Sequence, residues 1–171
     1  MQGGDYKNKV NKYAAERGFE SSPTRILFQQ KGLNELNKKS FQSYARVIIE
    51  TTLGKDSEYV CLNDSTKFTT NEINALTVQF NKQLIETFKS TENHLIEWKE
   101  TTPIILNGQH GIKVSYLRQF EDKPYAHVNT FYFQNNDRMH VLTFSYREEE
   151  FATWEPLFSK SLMSFKITNV R

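Results

Sequence analysis

Apolar residues recur at three- and four-residue steps after Thr69, which predicts an amphipathic helix over about residues 70–89. Thr69 and Glu72 have the spacing of a capping box, in which a hydroxyl and a carboxylate each satisfy an otherwise unpaired backbone N–H, so we expect the helix to begin there. The apolar stripe consists of Ile73, Leu76, Phe80, Leu84 and Phe88. Its aromatic members predict packing against a sheet rather than a ligand site.

Two segments before this helix have the pattern of strands. Residues 25–29 have the pattern of a short strand around Ile26 and Phe28, and residues 43–53 alternate along a stretch rich in β-branched side chains. Tyr59–Leu62 is either a small extra strand or a loop. Residues 6–17 have a weak helical spacing, so the first 20 residues are predicted to be helical or partly disordered.

Four further strands follow the helix, joined by turns at Asn107-Gly108, at residues 121–124 and at residues 135–137. We predict them at residues 95–101, 111–120, 125–134 and 138–147. In the first of these strands, Ile96 and Trp98 are expected on one face and Leu95 on the other. A turn centred on Asn136-Asp137 would place Phe133 opposite His140 and Phe131 opposite Leu142, which makes both faces of the last hairpin largely apolar.

A sheet that is apolar on both faces needs a cover on both sides. The helix at 70–89 supplies one cover, and a short C-terminal helix at about 148–163 supplies the other. The carboxylates of Glu148–Glu150 would complement the positive end of this second helix, and Pro156 should kink it or make its first turn irregular. Residues 164–168 are predicted to be a terminal strand. The fold class is therefore α+β, an α/β/α sandwich around a central antiparallel sheet.

Composition argues against several classes of function but does not point to a particular one. The 171 residues contain no repeat or linker, which predicts a single domain over 1–171. The net charge is +2 and the basic residues are spread along the chain, so we expect no nucleic-acid partner. No apolar run approaches the ~18 residues of a membrane span, so no integral membrane segment is expected. The absence of a leader predicts a cytoplasmic protein, or a periplasmic or secreted one if a leader has been removed.

The residues that could carry chemistry are few. Cys61 is the single cysteine, and we interpret it as an apolar filler rather than a nucleophile. Glu148–Glu150 could bind a divalent cation, but consecutive carboxylates on a helix diverge. The histidines have no metal-binding spacing; they are His94, His110, His127 and His140. Because no phosphate loop or nucleophile motif occurs either, we predict no catalytic, cofactor-binding or metal-binding residue and no enzymatic activity.

The order of these elements resembles the PsbP-like superfamily. The resemblance covers about residues 43–168 and includes a strand reading Gly111-Ile112-Lys113-Val114-Ser115-Tyr116. Its most specific part is an ending of the P-x-F-x5-S-F type, here Pro156, Phe158, Ser164 and Phe165. The superfamily includes photosystem lumenal proteins, a Ran-binding nuclear-import factor and bacterial relatives such as DcrB. The N-terminal region departs from the family pattern, with Phe19–Pro23 as the candidate for its leading strand.

This resemblance implies an α/β/α sandwich without enzymatic activity that acts through its surface on a protein partner. We therefore expect a bacterial-type adaptor or binding module, with no cofactor, whose partner is another protein. The alternative is a small-molecule or metal-binding periplasmic protein that uses a groove between helix and sheet. An open pocket with convergent polar groups would favour the alternative, and an exposed apolar patch would favour the adaptor.

Overall fold

The computed structural model describes residues 24–30, 33, 43–55, 59, 62–63, 67–135 and 137–167. Within these ranges the strands are β1 (Arg25–Gln29), β2 (Ala45–Leu53), β3 (Asn93–Leu106), β4 (Gln109–Phe120), β5 (Ala126–Asn135) and β6 (Arg138–Arg147). The helices are α1 (Thr70–Lys89) and α2 (Phe151–Met163), and a 3-10 turn (Glu148–Glu150) precedes α2. The predictions for residues 6–17, Phe19–Pro23 and Cys61 lie outside the described residues.

The strands form one antiparallel sheet with the order β1-β2-β6-β5-β4-β3. The β5–β6 hairpin has the predicted register, with Phe133 opposite His140 and Phe131 opposite Leu142. Side chains alternate between the faces of a strand, so this register assigns each residue of the hairpin to one helix or the other.

Each face of the sheet carries its own apolar core, and each core is closed by one helix. On the α1 side, the buried residues Ile112, Val114, Tyr116 and Val128 pack against Leu76, Phe80, Leu84 and Phe88. On the α2 side, Leu106, Phe131, Phe133, Leu142 and Phe144 pack against Phe158 and Leu162. The predicted α/β/α sandwich with a central antiparallel sheet is confirmed.

The start of α1 follows from a capping box, as predicted. The Thr69 hydroxyl oxygen accepts a hydrogen bond from the backbone N–H of Glu72 at 3.2 Å, and Glu72 Oε2 accepts one from the N–H of Thr69 at 2.7 Å. The bond from that N–H is the main cause of the lowered pKa of Glu72. Neither α1 nor the other helix of the described ranges has the length and apolarity to cross a membrane.

Strand β3 differs from its prediction in length and in the assignment of its faces. It continues to Leu106, and its pairing with β4 shifts register at Ile96 and again at Lys99. An extra residue in a strand reverses the alternation of the side chains beyond it. Leu95 and Trp98 therefore pack on the same core beneath α1, and their predicted placement on opposite faces is wrong.

The second helix begins later than predicted. The segment from Glu148 to Glu150 is a 3-10 turn, and the α-helix starts at Phe151 and contains Pro156. The opening of this segment is irregular, as expected, but Pro156 does not explain the 3-10 turn: the N–H that proline lacks would have bonded to the carbonyl of Ala152, within α2.

The predicted strand over residues 164–168 is wrong for 165–167, which form no strand. The side-chain amide of Asn107 donates to the carbonyl oxygens of Met163 at 2.9 Å and Phe165 at 2.7 Å. The ring of Phe165 packs on Phe133 with the centroids 5.5 Å apart. This segment is thus held by side-chain contacts that its own sequence pattern does not reveal.

Candidate functional site

Three polar residues on the α2 side of the sheet form a serine–histidine–glutamate array. The Ser115 hydroxyl oxygen lies 3.0 Å from Nε2 of His127, and Nδ1 of His127 lies 3.2 Å from Oε2 of Glu148. This order of hydroxyl, imidazole and carboxylate is the arrangement that activates a serine nucleophile in hydrolases. Sequence reasoning missed it because the residues are 12 and 21 positions apart and only the β4–β5 register brings them together.

The surroundings of the array restrict what it can do. Ser115 is only 2% exposed, and the imidazole of His127 stacks on the ring of Tyr146 with the centroids 5.4 Å apart. A serine nucleophile must reach a substrate carbonyl whose oxygen is held by donors about 3 Å away. The burial of Ser115 separates its hydroxyl from any such substrate, so the array is suited to satisfying buried polar groups within the sheet.

We expect a fluorophosphonate probe to leave Ser115 unlabelled in the folded protein, because its hydroxyl is enclosed. The measurement is intact-protein mass spectrometry after incubation with the probe, with a known serine hydrolase labelled in the same reaction. Labelling of this chain that disappears in the Ser115→Ala variant would identify an accessible nucleophile and contradict the expectation.

A second cluster lies on the α1 side of the sheet, around Tyr44. The ζ carbons of Arg46, Arg118 and Arg147 are 5.3, 5.7 and 5.2 Å from the centroid of the Tyr44 ring. Arg118 and Arg147 come from β4 and β6 and both lie opposite Ala126 of the strand between them, so they share a face. We call Arg46, Arg118, Arg147 and Tyr44 the arginine cluster.

The pKa of the Tyr44 hydroxyl reflects the positive charges around it. It accepts a hydrogen bond from Nη2 of Arg118 at 3.1 Å and lies 2.9 Å from the hydroxyl of Ser145. Burial raises the pKa of Tyr44, but the charges of Arg118 and Arg46 together with these hydrogen bonds lower it below the ordinary 10.0. The position therefore favours negative charge in spite of its burial.

The arginines of the cluster are held in different ways. Arg147 is 7% exposed, and its Nη1 donates to the carbonyl oxygen of Pro124 at 2.6 Å. Nη1 of Arg118 donates to the side-chain oxygen of Asn93 at 2.5 Å. Within the described part of the chain, Nε of Arg46 is buried without a hydrogen-bond partner, and no carboxylate forms an ion pair with Arg46 or Arg118.

A cavity of about 200 Å³ lies between α1 and the sheet. Its walls include two stacked aromatic pairs, Phe80 on Tyr132 and Trp98 on Tyr116. Burial raises the pKa of both tyrosines above the ordinary 10.0, so their hydroxyls are neutral hydrogen-bonding groups. Nε1 of Trp98 is buried and has no hydrogen-bond partner among the described residues. This chemistry would suit a small flat ligand that carries a hydrogen-bond acceptor.

The histidines that were considered as metal ligands are dispersed. His127 belongs to the array with Ser115, whereas His140 lies 3.0 Å from the hydroxyl of Thr51 and has a pKa lowered chiefly by burial. Across the described ranges, no group of three or more histidine, cysteine, aspartate or glutamate side chains could hold a metal ion.

The acidic run Glu148–Glu150 forms the 3-10 turn directly before α2, with Glu150 at the N-cap, so its carboxylates lie at the positive end of that helix as predicted and also make specific contacts. Glu148 contacts His127, as described above. The carboxylate of Glu150 accepts hydrogen bonds from the hydroxyl of Ser43 at 2.7 Å and from Nε1 of Trp154 at 3.2 Å. The run thus ties the start of β2 to the start of α2.

Comparison with known proteins identifies relatives by fold only. No family model and no curated protein matches the sequence. A crystal structure of PA94 from Pseudomonas aeruginosa, a protein of unknown function described as a putative regulator, matches with a TM-score of 0.52 at 8% identity, over 88% of each chain. The solution structure of cyanobacterial PsbP (CyanoP) from Synechocystis sp. PCC 6803 matches with a TM-score of 0.46 at 14% identity, over 86% of this chain and 84% of that one.

This chain has the fold of the Pseudomonas structure. The similar structures include a PsbP protein, from the superfamily that the sequence resembles, and a bacterial protein of unknown function. At 8% identity the Pseudomonas structure shows a shared fold and no shared activity, and the CyanoP comparison carries no separate argument.

Proposed function

We propose that this chain is a non-catalytic binding module that recognises an extended apolar segment of a partner protein along β1. The proposal rests on two rows of apolar side chains. Both rows run across the α2-side face of the sheet, from its buried core to the edge strand β1. Cross-strand pairing aligns Leu142, Ile49 and Ile26 in one row and Phe144, Val47 and Phe28 in the other.

Exposure increases steadily along these rows. Leu142 and Phe144 are 2% and 4% exposed, whereas Ile26 and Phe28 on β1 are 54% and 58% exposed. Adjacent exposed apolar side chains that continue a core are typical of surfaces that bind another protein. A partner segment with apolar residues at every second position would extend both rows by one more strand.

The two edges of the sheet differ in their suitability for such an addition. β1 pairs with β2 on one side, and no strand of the described ranges lies on its other side. β3, at the opposite edge, contains two register shifts and Pro103, which interrupt the regular ladder that an added strand needs. The edge at β1 is therefore the one that favours strand addition.

The absence of enzymatic activity remains part of the proposal. The enclosed hydroxyl of Ser115 supports it, because the array with His127 and Glu148 is the arrangement in the described ranges that most resembles catalytic machinery. A protein partner rather than a nucleic acid is supported by the even mixture of acidic and basic residues along the chain.

A small-molecule binding function is the second candidate, and one observation favours it. The cavity beneath α1 has aromatic walls, and the buried Nε1 of Trp98 lacks a partner within the described part of the chain. A ligand acceptor that reached Nε1 would satisfy this donor. Binding in this cavity would not involve the exposed apolar rows on β1. Substitutions on β1 therefore separate the two candidate functions.

The test of the proposed function is an affinity capture from lysate of the source organism with the Ile26→Thr/Phe28→Thr double variant. Threonine keeps the strand preference while it removes most of the apolar area. We expect the proteins that the wild-type chain enriches to be reduced about tenfold or more with the variant, since the loss of two exposed apolar contacts costs a binding free energy of about 2 kcal/mol.

The matched control is Ile105→Thr, which changes an apolar strand residue that is 66% exposed near the opposite edge. The control should retain the wild-type capture profile, and both variants should keep the wild-type melting temperature within a few degrees. If the double variant folds and still captures the same proteins as the wild-type chain, β1 is not the binding surface.

A further inference from the structure

We propose that the arginine cluster is a binding site for an oxyanion group, a phosphate or a carboxylate, at the end of the sheet next to Tyr44. This inference concerns a site separate from the exposed rows on β1 and does not depend on the proposed partner. It rests on the convergence of guanidinium groups from three strands.

Convergence of like charges is unfavourable unless an anion compensates it. The guanidinium groups of Arg46, Arg118 and Arg147 all lie within 6 Å of one aromatic ring, where each one repels the other two. Contact with the Tyr44 ring recovers part of this energy through cation–π attraction. The Nε of Arg46 nevertheless stays buried without a hydrogen-bond acceptor in the described ranges.

The carboxylates near the cluster do not supply the compensating anion. Glu149 and Glu150 act electrostatically on Arg147. The carboxylate of Glu150, however, already accepts from the hydroxyl of Ser43 and the backbone N–H of Tyr44. Within the described residues, neither Arg46 nor Arg118 has a carboxylate at ion-pair distance. An added oxyanion would find planar guanidinium donors, which match phosphate and carboxylate oxygens in pairs.

Access and rigidity are both suitable for a ligand site. Tyr44, Arg46 and Arg118 are each partly exposed as residues, although Nε of Arg46 is buried. Arg147 is almost fully buried and is fixed by its bond to the carbonyl of Pro124. A fixed cation beside two partly exposed ones gives a preorganised region of positive potential.

The test is a titration of the full chain with inorganic phosphate and, separately, with acetate, at constant ionic strength set with chloride. Tyr44 supplies an internal probe, since its phenolate absorbance is the difference between the pH titrations of the wild-type chain and Tyr44→Phe. A bound oxyanion should raise the pKa of Tyr44 towards its ordinary value, because it adds negative charge beside the hydroxyl. A cluster with a purely structural role would show no dependence of this pKa on phosphate or acetate.

The variants are Arg46→Gln and, as a matched control, Arg138→Gln, whose arginine pairs with Asp137 at the other end of the sheet. We expect Arg46→Gln to weaken binding about tenfold or more, and the control to bind as the wild-type chain does. A preference for phosphate would indicate a free phosphate or a phosphorylated ligand, and a preference for acetate would indicate a carboxylate ligand; either supports the site. No shift of the Tyr44 pKa with either anion, or equal binding by Arg46→Gln, would overturn the proposal.

Discussion

Replacing Phe133 with alanine is expected to lower the free energy of unfolding by about 3–5 kcal/mol. Phe133 is fully buried and lies at the centre of the α2-side core. Its ring packs against Phe165, and it also covers the backbone of Gly111, so the lost side chain would leave a cavity bounded by three separate segments. Since domains of this size have a total stability of about 5–15 kcal/mol, the variant should unfold at markedly lower denaturant concentration.

The measurement is urea unfolding followed by circular dichroism. The matched control is Phe28→Ala, because Phe28 is 58% exposed and lies at the edge of the same face. We expect the control to change the free energy of unfolding by less than about 1 kcal/mol. Equal effects of the two substitutions would show that Phe133 does not organise the core as described.

The second large effect is expected from Gly111→Ala, at about 1–3 kcal/mol. A Cβ atom at this position would lie 2.5 Å from the carbonyl oxygen of Tyr132 and 2.7 Å from the ring of Phe133. Both distances are far below van der Waals contact, and one of the atoms belongs to the backbone of the neighbouring strand. The glycine is therefore required for the close approach of β5 and the Phe133 ring to β4.

A double-mutant cycle separates this steric cause from a general preference for glycine. In a Phe133→Leu background the Gly111→Ala change should cost less, because the smaller side chain relieves part of the overlap. Gly108→Ala is the matched control, since Gly108 has a φ of 78° and open space around it, so its cost of about 1–2 kcal/mol comes from backbone strain alone. Independent, additive costs for Gly111 and Phe133 would show that the Phe133 ring does not contribute to the overlap, and would leave the backbone of Tyr132 as its sole cause.

The parts of the fold that were predictable are those specified by short-range signals. The capping box at Thr69 and the spacing from Ile73 to Phe88 lie within one helix, so the bounds of α1 follow from local sequence. The β5–β6 register also follows from a local signal, because the turn that sets it connects the two strands directly.

The errors occur where a distant contact overrides the local pattern. The faces of β3 were wrongly predicted because Ile96 and Lys99 are extra residues in the ladder, and their effect is visible only against β4. Residues 164–167 have the composition of a strand, but the side chain of Asn107 binds the carbonyl groups of Met163 and Phe165 instead. Neither feature has a signature within its own segment.

Both polar clusters were beyond sequence reasoning for the same reason. The array of Ser115, His127 and Glu148 and the arginine cluster around Tyr44 each combine residues from separate elements. The pairing register of β4 with β5 places Ser115 near His127. The sequence of the turn at residues 121–124 does not specify that register, so the contact could not be predicted. Sequence patterns therefore predicted the layers of the fold but none of its polar clusters.

The most direct test of the central claim, that partner binding uses β1, is hydrogen–deuterium exchange of the chain with and without its captured partner. Our account predicts that the partner slows exchange in residues 25–29 and in the adjoining strand β2. Slower exchange confined to α1 and the segments around Trp98 and Tyr116 would contradict it, because those residues line the cavity beneath the helix.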